Sequence, residues 1–278
     1  MLLTEIDTVN LLSLSLIFLI GLPHGSFDLA IVMGIVKHKT LPKITCFIFS
    51  YIGLGVIVIL TWIVVPQFAL IVFLIISVIH FGLGDTLHSS TNSISKLTKI
   101  VQILSHGGAI ISITSLSNYE EVNIIFSILA FGSTWSVWIV IKILLILTAL
   151  SMLTYFIMSI QMPELRRKFM ELTALSVVFY IFPPLVSFSL YFCFIHTFRH
   201  VRSVWTFLLN ESSYKYVFST VLLLTVSSWI FGALAFLVVN NYYPPESAIL
   251  QVTFIGLASL TVPHMILVDG FFRTRASL

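Results

Sequence analysis

The chain has 278 residues, of which 58% are hydrophobic and 9% are charged, and its mean hydropathy is +1.08. Soluble domains contain roughly 25% charged residues, so this composition excludes a soluble domain and indicates an integral membrane protein. The formal net charge is only +3 and no nucleic-acid motif is found, so nucleic acid is not an expected partner.

Nine apolar runs are long enough to cross a bilayer, which takes about 20 residues. In chain order they lie approximately at residues 9–36, 44–65, 67–88, 98–116, 134–160, 169–182, 184–208, 216–240 and 247–270. The run at 169–182 is the shortest and ends against Pro183 and Pro184, where proline breaks the helical pattern. The sequence therefore predicts an all-α membrane bundle of about nine transmembrane helices, forming one integral membrane domain over residues 1–278.

The distribution of charge predicts the orientation of this bundle. If the N-terminus is outside, every lysine and arginine except Lys142 lies on the cytoplasmic side. The acidic residues at the outer ends are Glu5, Asp7, Glu120, Glu121 and Glu246. The positive-inside rule then favours N-out and C-in, as a multi-pass protein of a prokaryotic cell (inner or plasma) membrane.

Histidines from several predicted helices lie at a similar depth in the membrane. With that orientation, five of them occupy a layer only several ångströms thick, at about 1.5 Å per helical residue. They are His24, His80, His196, His200 and His264. His196 and His200 are also four residues apart, on one face of one helix. Imidazole is a ligand for Zn, Cu, Fe and Ni, so the pattern indicates a metal centre.

Simpler roles exist for each histidine. A single intramembrane histidine often forms a hydrogen bond between helices. His38 and His88 lie near loop ends and are expected to be solvated. His106 begins the small-residue stretch "SHGGA", which suits close helix packing, and its role stays open.

Three aspartates follow these histidines. Asp28 lies about one turn after His24, whereas Asp85 and Asp269 each lie five residues after a histidine. A carboxylate near a metal-binding histidine can accept the hydrogen of its other ring nitrogen. Asp28 is the strongest candidate for this supporting role, while Asp85 and Asp269 are equally suited to pair with arginines or to cap helix ends. Nearby glycines, among them Gly21 and Gly82, allow close backbone approach or simple helix packing.

Four motifs resemble those of the Brp/Blh family of bacterial and archaeal membrane proteins, the bacteriorhodopsin-related-protein-like β-carotene 15,15′-dioxygenases. They are "GLPHGSFDLA", "SVIHFGLGD", "PPLVSFSLYFCFIHTFRH" and "TVPHMILVD". The resemblance runs over essentially the whole chain, in the same order and with similar spacing.

The resemblance implies that a single catalytic domain cleaves all-trans-β-carotene with O₂ at its central double bond, giving two retinals with non-haem Fe(2+) as cofactor. Matching the motifs implies that His24, His80, His196 and His200 bind the iron. We expect Asp28 and His264 to support these ligands. The aromatic residues nearest to the motifs are expected to contact the substrate, and they are Phe81, Tyr191, Phe194 and Phe198. Membrane lipid and a functional link to a retinal-binding rhodopsin complete the expected partners.

Other classes of protein remain alternatives on the residues alone. A membrane b-type haem protein, or another metal-binding redox protein, needs only histidine pairs across helices. A di-iron hydroxylase needs more histidine boxes than the one HxxxH found here, and an opsin needs a mid-membrane lysine, for which Lys142 lies too near the outer end of its span.

Overall fold

The structure is a computed structural model that describes residues 8–35, 41–86, 95–211 and 213–272, and within these ranges every regular element is a helix. The α-helices of the described ranges are α1 (Thr8–Leu16), α2 (Asp28–Ile35), α3 (Leu41–Val64), α4 (Pro66–Thr86), α5 (Lys96–Gly108), α6 (Thr114–Ser117), α7 (Tyr119–Leu129), α8 (Trp135–Gln161), α9 (Pro163–Ile181), α10 (Pro184–Tyr191), α11 (Thr197–Glu211), α12 (Tyr214–Val239) and α13 (Pro245–Leu267). The all-α prediction is thereby confirmed for the described part of the chain.

Short 3₁₀-helical and π-helical turns join several of these α-helices. The chain forms π-helical turns at Ile17–Gly21, Ala109–Ile113, Phe192–His196 and Val268–Phe272, and a 3₁₀ turn at Leu22–Phe27. The first predicted span, 9–36, is therefore not one continuous α-helix. Pro23 lies inside the 3₁₀ turn, and proline lacks the N–H that an α-helix would need there.

Local sequence explains where several helices begin. α4, α9, α10 and α13 each start at a proline, whose missing N–H costs nothing in the first turn. α5 and α12 start instead after Ser95 and Ser213, whose hydroxyls accept from the backbone N–H of Thr98 and Tyr216 at 3.1 and 3.4 Å. The apolar interiors then favour helix, because the backbone of a span must satisfy its own hydrogen bonds in lipid.

Seven helical stretches of the described residues are long and apolar enough to cross a membrane. They are Thr8–Met33, Pro42–Val64, Pro66–Thr86, Lys96–Ser117, Trp135–Gln161, Tyr214–Val239 and Pro245–Gly270. Each matches one of the predicted spans to within a few residues. The remaining two predicted spans are helical but more polar, because α9 begins with the charged sequence "ELRRK" and α11 contains Arg199 and Arg202. The chain is thus a helical protein with several membrane-spanning candidates, and the count of nine stays a prediction.

The helices divide into two compact units. Unit 1 comprises the described residues up to Pro66 together with those from Phe192 onwards, and unit 2 comprises Gln67–Tyr191.

The core of unit 1 joins α2, α11, α12 and α13. Its buried apolar side chains are Phe27, Ala30, Ile31, Val204, Leu208, Val217, Leu267 and Val268. Three polar residues are close in sequence to residues of this core. Asp28 follows Phe27 directly. His200 and His264 lie one turn before Val204 and Leu267, respectively. Packing of the core therefore fixes the backbone positions of all three.

Helices α3 and α13 of unit 1 approach closely at a small-residue contact. A Cβ atom at Gly55 would lie 3.2 Å from the carbonyl oxygen of Ser259. Tyr51 lies one turn before Gly55, so this contact sets the position of Tyr51 against α13.

Unit 2 contains the predicted small-residue surface. A Cβ atom at Gly107 would overlap the carbonyl oxygen of Val78, and one at Gly82 would overlap that of Ile103, so α4 and α5 pack backbone against backbone. The neighbouring Gly108 faces the hydroxyl of Thr148 on α8. The expectation that "SHGGA" serves close helix packing is confirmed.

Candidate functional site

The predicted histidine pair of unit 1 lies where a π-helical turn gives way to an α-helix. His196 is the last residue of the turn Phe192–His196, and His200 follows four residues later in α11. Four α-helical residues make just over one turn, so the two side chains leave the helix on a similar side. Both are buried. π-helical turns inside helices are frequent at functional sites, and this one ends at the first histidine of the pair.

Asp28 is the centre of a buried network in unit 1, formed by Asp28, Tyr51 and His264. His264 Nδ1 lies 2.8 Å from Asp28 Oδ1. The Tyr51 hydroxyl donates to Asp28 Oδ2 at 2.7 Å and also lies 3.3 Å from the carbonyl oxygen of Leu260. These contacts, which we call the Asp28 network, tie the carboxylate of α2 to α3 and α13, with a hydrogen-bond partner on each of its oxygens.

His264 also connects the Asp28 network to the histidine pair. The imidazole rings of His200 and His264 have centroids 4.9 Å apart and an interplanar angle of 75°. Two predicted histidines from different helices, α11 and α13, are therefore direct neighbours inside unit 1.

His196 is the other histidine of the pair, and an aromatic neighbour orients its ring. The ring of Phe192 stacks on His196 with a centroid distance of 5.9 Å and an interplanar angle of 17°. Gly21 lies against the Phe192 ring, because a Cβ atom there would overlap it. Cys193 donates its thiol hydrogen to the carbonyl oxygen of Leu16 at 3.4 Å, so the turn Phe192–His196 also contacts the end of α1.

His24 lies in the 3₁₀ turn Leu22–Phe27, and its side chain lies outside the part of the chain that the structure describes. His38 and His88 also lie outside the described residues.

Unit 2 holds a second buried polar group. Asp85 Oδ2 accepts a hydrogen bond from the Tyr191 hydroxyl at 2.8 Å, and His106 Nδ1 lies 3.9 Å from the same oxygen. The sequence did not predict this contact between Asp85 and a tyrosine. His80, the predicted ligand of unit 2, is buried one turn before Gly84, and its ring lies 6.0 Å from that of Phe81.

The four aromatic residues predicted to contact substrate fall into two pairs. Phe81 and Tyr191 are buried in unit 2 and meet edge to face at 5.4 Å. Phe194 and Phe198 are 54% and 62% exposed, on the surface of unit 1. Substrate contact stays a prediction for all four residues.

Two residues of unit 1 were missed by the sequence reasoning, Tyr51 and Phe192. Tyr51 carried a weak signal, because a tyrosine hydroxyl inside an apolar span needs a hydrogen-bond acceptor. Phe192 carried none, since its importance comes from the ring it stacks on and from the missing side chain of Gly21.

The donors of unit 1 fit a metal ion by their chemistry. Among the described side chains, no group of three or more His, Cys, Asp or Glu is arranged to hold a metal. The four-histidine set therefore stays a prediction, with the His24 side chain outside the description. The described part nevertheless contains two neighbouring buried imidazoles, those of His200 and His264. Nδ1 of His264 is also held by the Asp28 carboxylate, which is the usual setting of a metal-binding histidine.

Comparison with known proteins gives two matches. The family model described as BCD, beta-carotene 15,15′-dioxygenase, matches residues 15–272. A curated beta-carotene 15,15′-dioxygenase from the uncultured marine bacterium 66A03 is 36% identical over 266 residues, covering 95% of this chain and 94% of that protein. No solved structure matches the chain. The similarity extends over all four motifs and over both units.

Proposed function

The chain belongs to the β-carotene 15,15′-dioxygenase family, and we propose that it cleaves β-carotene at the central 15,15′ double bond to give two molecules of all-trans-retinal. The observation that carries this function is the near full-length relationship, which includes every histidine motif. The reaction balances without a reductant, because one C=C bond is broken and each of its carbons gains one oxygen atom of O₂.

Iron(II) bound by His24, His80, His196 and His200 is part of the proposal. Neutral histidine is the metal-binding form, and imidazole suits iron. His80 is buried in unit 2, and His196 and His200 are buried in unit 1. When bound, iron(II) supplies the activation of O₂, which is the part of the chemistry that side chains do not provide.

Residues of unit 1 orient two of these imidazoles, His196 and His200. The Phe192 ring lies parallel to that of His196 and limits its rotation. The Asp28 network fixes His264, whose ring in turn packs against His200. Positioning of this kind matters because misplacement of a reacting group by about 1 Å costs roughly 10²-fold in rate.

The apolar surroundings determine how the substrate is bound and how water is excluded. β-Carotene is a hydrocarbon, so it is held by packing and by burial of apolar surface rather than by hydrogen bonds. In our proposal Phe194 and Phe198, which are exposed in a chain of membrane-spanning helices, make the first contacts with a polyene arriving from lipid. Phe81 and Tyr191, which are buried in unit 2, are the other proposed substrate contacts.

The proposed setting is a prokaryotic cell membrane, with nine spans and an N-out, C-in orientation. The charge separation along the sequence supports this topology. A retinal-binding rhodopsin in the same membrane would consume the product.

Expression in a β-carotene-producing bacterial host tests the function. We expect pale cells that accumulate retinal, and orange cells without retinal when His196→Ala is expressed at the same membrane level. Unchanged carotene with wild-type protein folded in the membrane would contradict the proposal. A Soret band in the purified protein, together with no retinal, would instead support the b-type haem alternative.

A further inference from the structure

The two ring nitrogens of His264 are chemically different because Asp28 holds one of them. Asp28 Oδ1 lies 2.8 Å from Nδ1, and the two side chains are only 3% and 1% exposed. With the carboxylate oxygen as the acceptor, Nδ1 carries the hydrogen of this bond. In a neutral imidazole the lone pair then belongs to Nε2, which is the form that binds a metal.

Tyr51 prevents the carboxylate from leaving this arrangement. Its hydroxyl donates to the other oxygen, Oδ2, at 2.7 Å, so rotation of the carboxylate would break two hydrogen bonds. The same hydroxyl lies 3.3 Å from the carbonyl of Leu260, one turn before His264 on α13. Carboxylates fix the tautomer and ring direction of metal-binding histidines in this way.

The distance to His200 fits two ligands of one ion. With metal–nitrogen bonds of about 2.0–2.2 Å, imidazoles that share an ion have ring centroids roughly 4.5–5.5 Å apart. The centroids of His200 and His264 are 4.9 Å apart, and the rings are steeply inclined to each other at 75°.

We propose that His264 is itself a metal ligand of this enzyme, binding through Nε2, and that Asp28 and Tyr51 hold it in the required tautomer. The sequence assigned His264 only a supporting role. The inference rests on the proposed function, from which it takes the metal and the ligand role of His200.

His106 of unit 2 provides a matched control. It is also a buried histidine beside a buried aspartate, but its Nδ1 is 3.9 Å from Asp85 Oδ2, which is beyond hydrogen-bond range. Asp85 therefore does not fix the tautomer of His106 as Asp28 fixes that of His264. Tyr155 is the corresponding control for Tyr51, because it is a buried tyrosine whose hydroxyl accepts from the Gln102 amide at 3.1 Å.

The test measures the Fe(II) affinity of detergent-purified, metal-depleted protein without oxygen, by competition with a chelator. We expect His264→Ala to weaken Fe(II) binding by about 100-fold or more and Asp28→Asn by about 10- to 100-fold. Tyr51→Phe should weaken it by a smaller factor, while His106→Ala and Tyr155→Phe should bind as the wild type does. Imidazole added to His264→Ala should restore part of the lost affinity.

Three results would overturn the inference. One is wild-type Fe(II) affinity in His264→Ala, and another is equal loss in His264→Ala and His106→Ala. The third applies if His264→Ala does not fold, and it is an Fe(II) affinity of Asp28→Asn equal to that of the wild type, which would contradict the proposed tautomer. Failure of the proposed function has a different signature, since the wild-type protein would then bind no Fe(II) or yield no retinal.

Discussion

Adding one methyl group at Gly21 should disturb His196 through Phe192. In Gly21→Ala the new Cβ would overlap Cε1 of the Phe192 ring and lie 2.7 Å from its Cδ1. Carbon atoms in contact prefer separations of about 3.5–4.0 Å, so the ring or its backbone must shift by roughly 1 Å. The ring has little room, because Phe192 is buried and stacks on His196.

The expected cost follows from this geometry. Overpacking a buried site destabilises a protein by about 1–3 kcal/mol. A displacement of roughly 1 Å at a reacting group lowers the rate by about 10²-fold. We therefore expect Gly21→Ala to lower both the thermal midpoint and the initial rate of retinal formation, with the larger relative effect on the rate.

The assay compares detergent-purified variants by thermal unfolding and by chromatographic measurement of retinal. Gly256→Ala on α13 is the matched control, because a Cβ there has no neighbouring atom within 4 Å. Gly21→Ala/Phe192→Leu should regain part of the loss, since the shorter side chain vacates the ring position. Equal midpoints and rates for Gly21→Ala and Gly256→Ala would refute the reasoning.

Further predictions concern unit 2 and the topology. Gly107→Ala should force α4 and α5 apart and lower the thermal midpoint relative to Gly256→Ala, because its Cβ would overlap the Val78 carbonyl oxygen; an unchanged midpoint would contradict this packing. Tyr191→Phe should destabilise the protein by about 1–3 kcal/mol, because it removes a hydrogen bond from the buried Asp85 carboxyl group. Tyr180→Phe, at a residue 70% exposed, is its control and should leave the unfolding midpoint unchanged. A reporter fused after residue 278 should be cytoplasmic and one at the N-terminus should be outside; two reporters on the same side would exclude an odd number of spans.

The apolar spans were predictable because hydropathy is a local property of the sequence. Seven predicted spans match helices of the described structure to within a few residues. The π-helical turn at Ile17–Gly21 and the 3₁₀ turn after it were not predicted, because Gly21 and Pro23 only permit such turns. Which turn forms depends on tertiary contacts such as that of Gly21 with Phe192.

The hydrogen-bond partners of Asp28, Tyr51 and His264, could not be predicted from the sequence for a related reason. In an α-helix Asp28 would lie one turn beyond His24, on the same face. Residues 22–27 form a 3₁₀ turn instead, so the α-helical spacing of four residues does not apply there. The observed contacts, Tyr51 on α3 and His264 on α13, are 23 and 236 residues away in sequence, beyond the reach of any periodic pattern.

The central claim is that the protein cleaves β-carotene at its middle. The most direct measurement supplies purified wild-type protein with β-carotene under ¹⁸O₂ and analyses the products by chromatography and mass spectrometry. We predict two retinals for each β-carotene consumed, with ¹⁸O incorporated in both before exchange with water. Apocarotenals of unequal length, or unconsumed β-carotene in the presence of folded, iron-loaded protein, would contradict the claim.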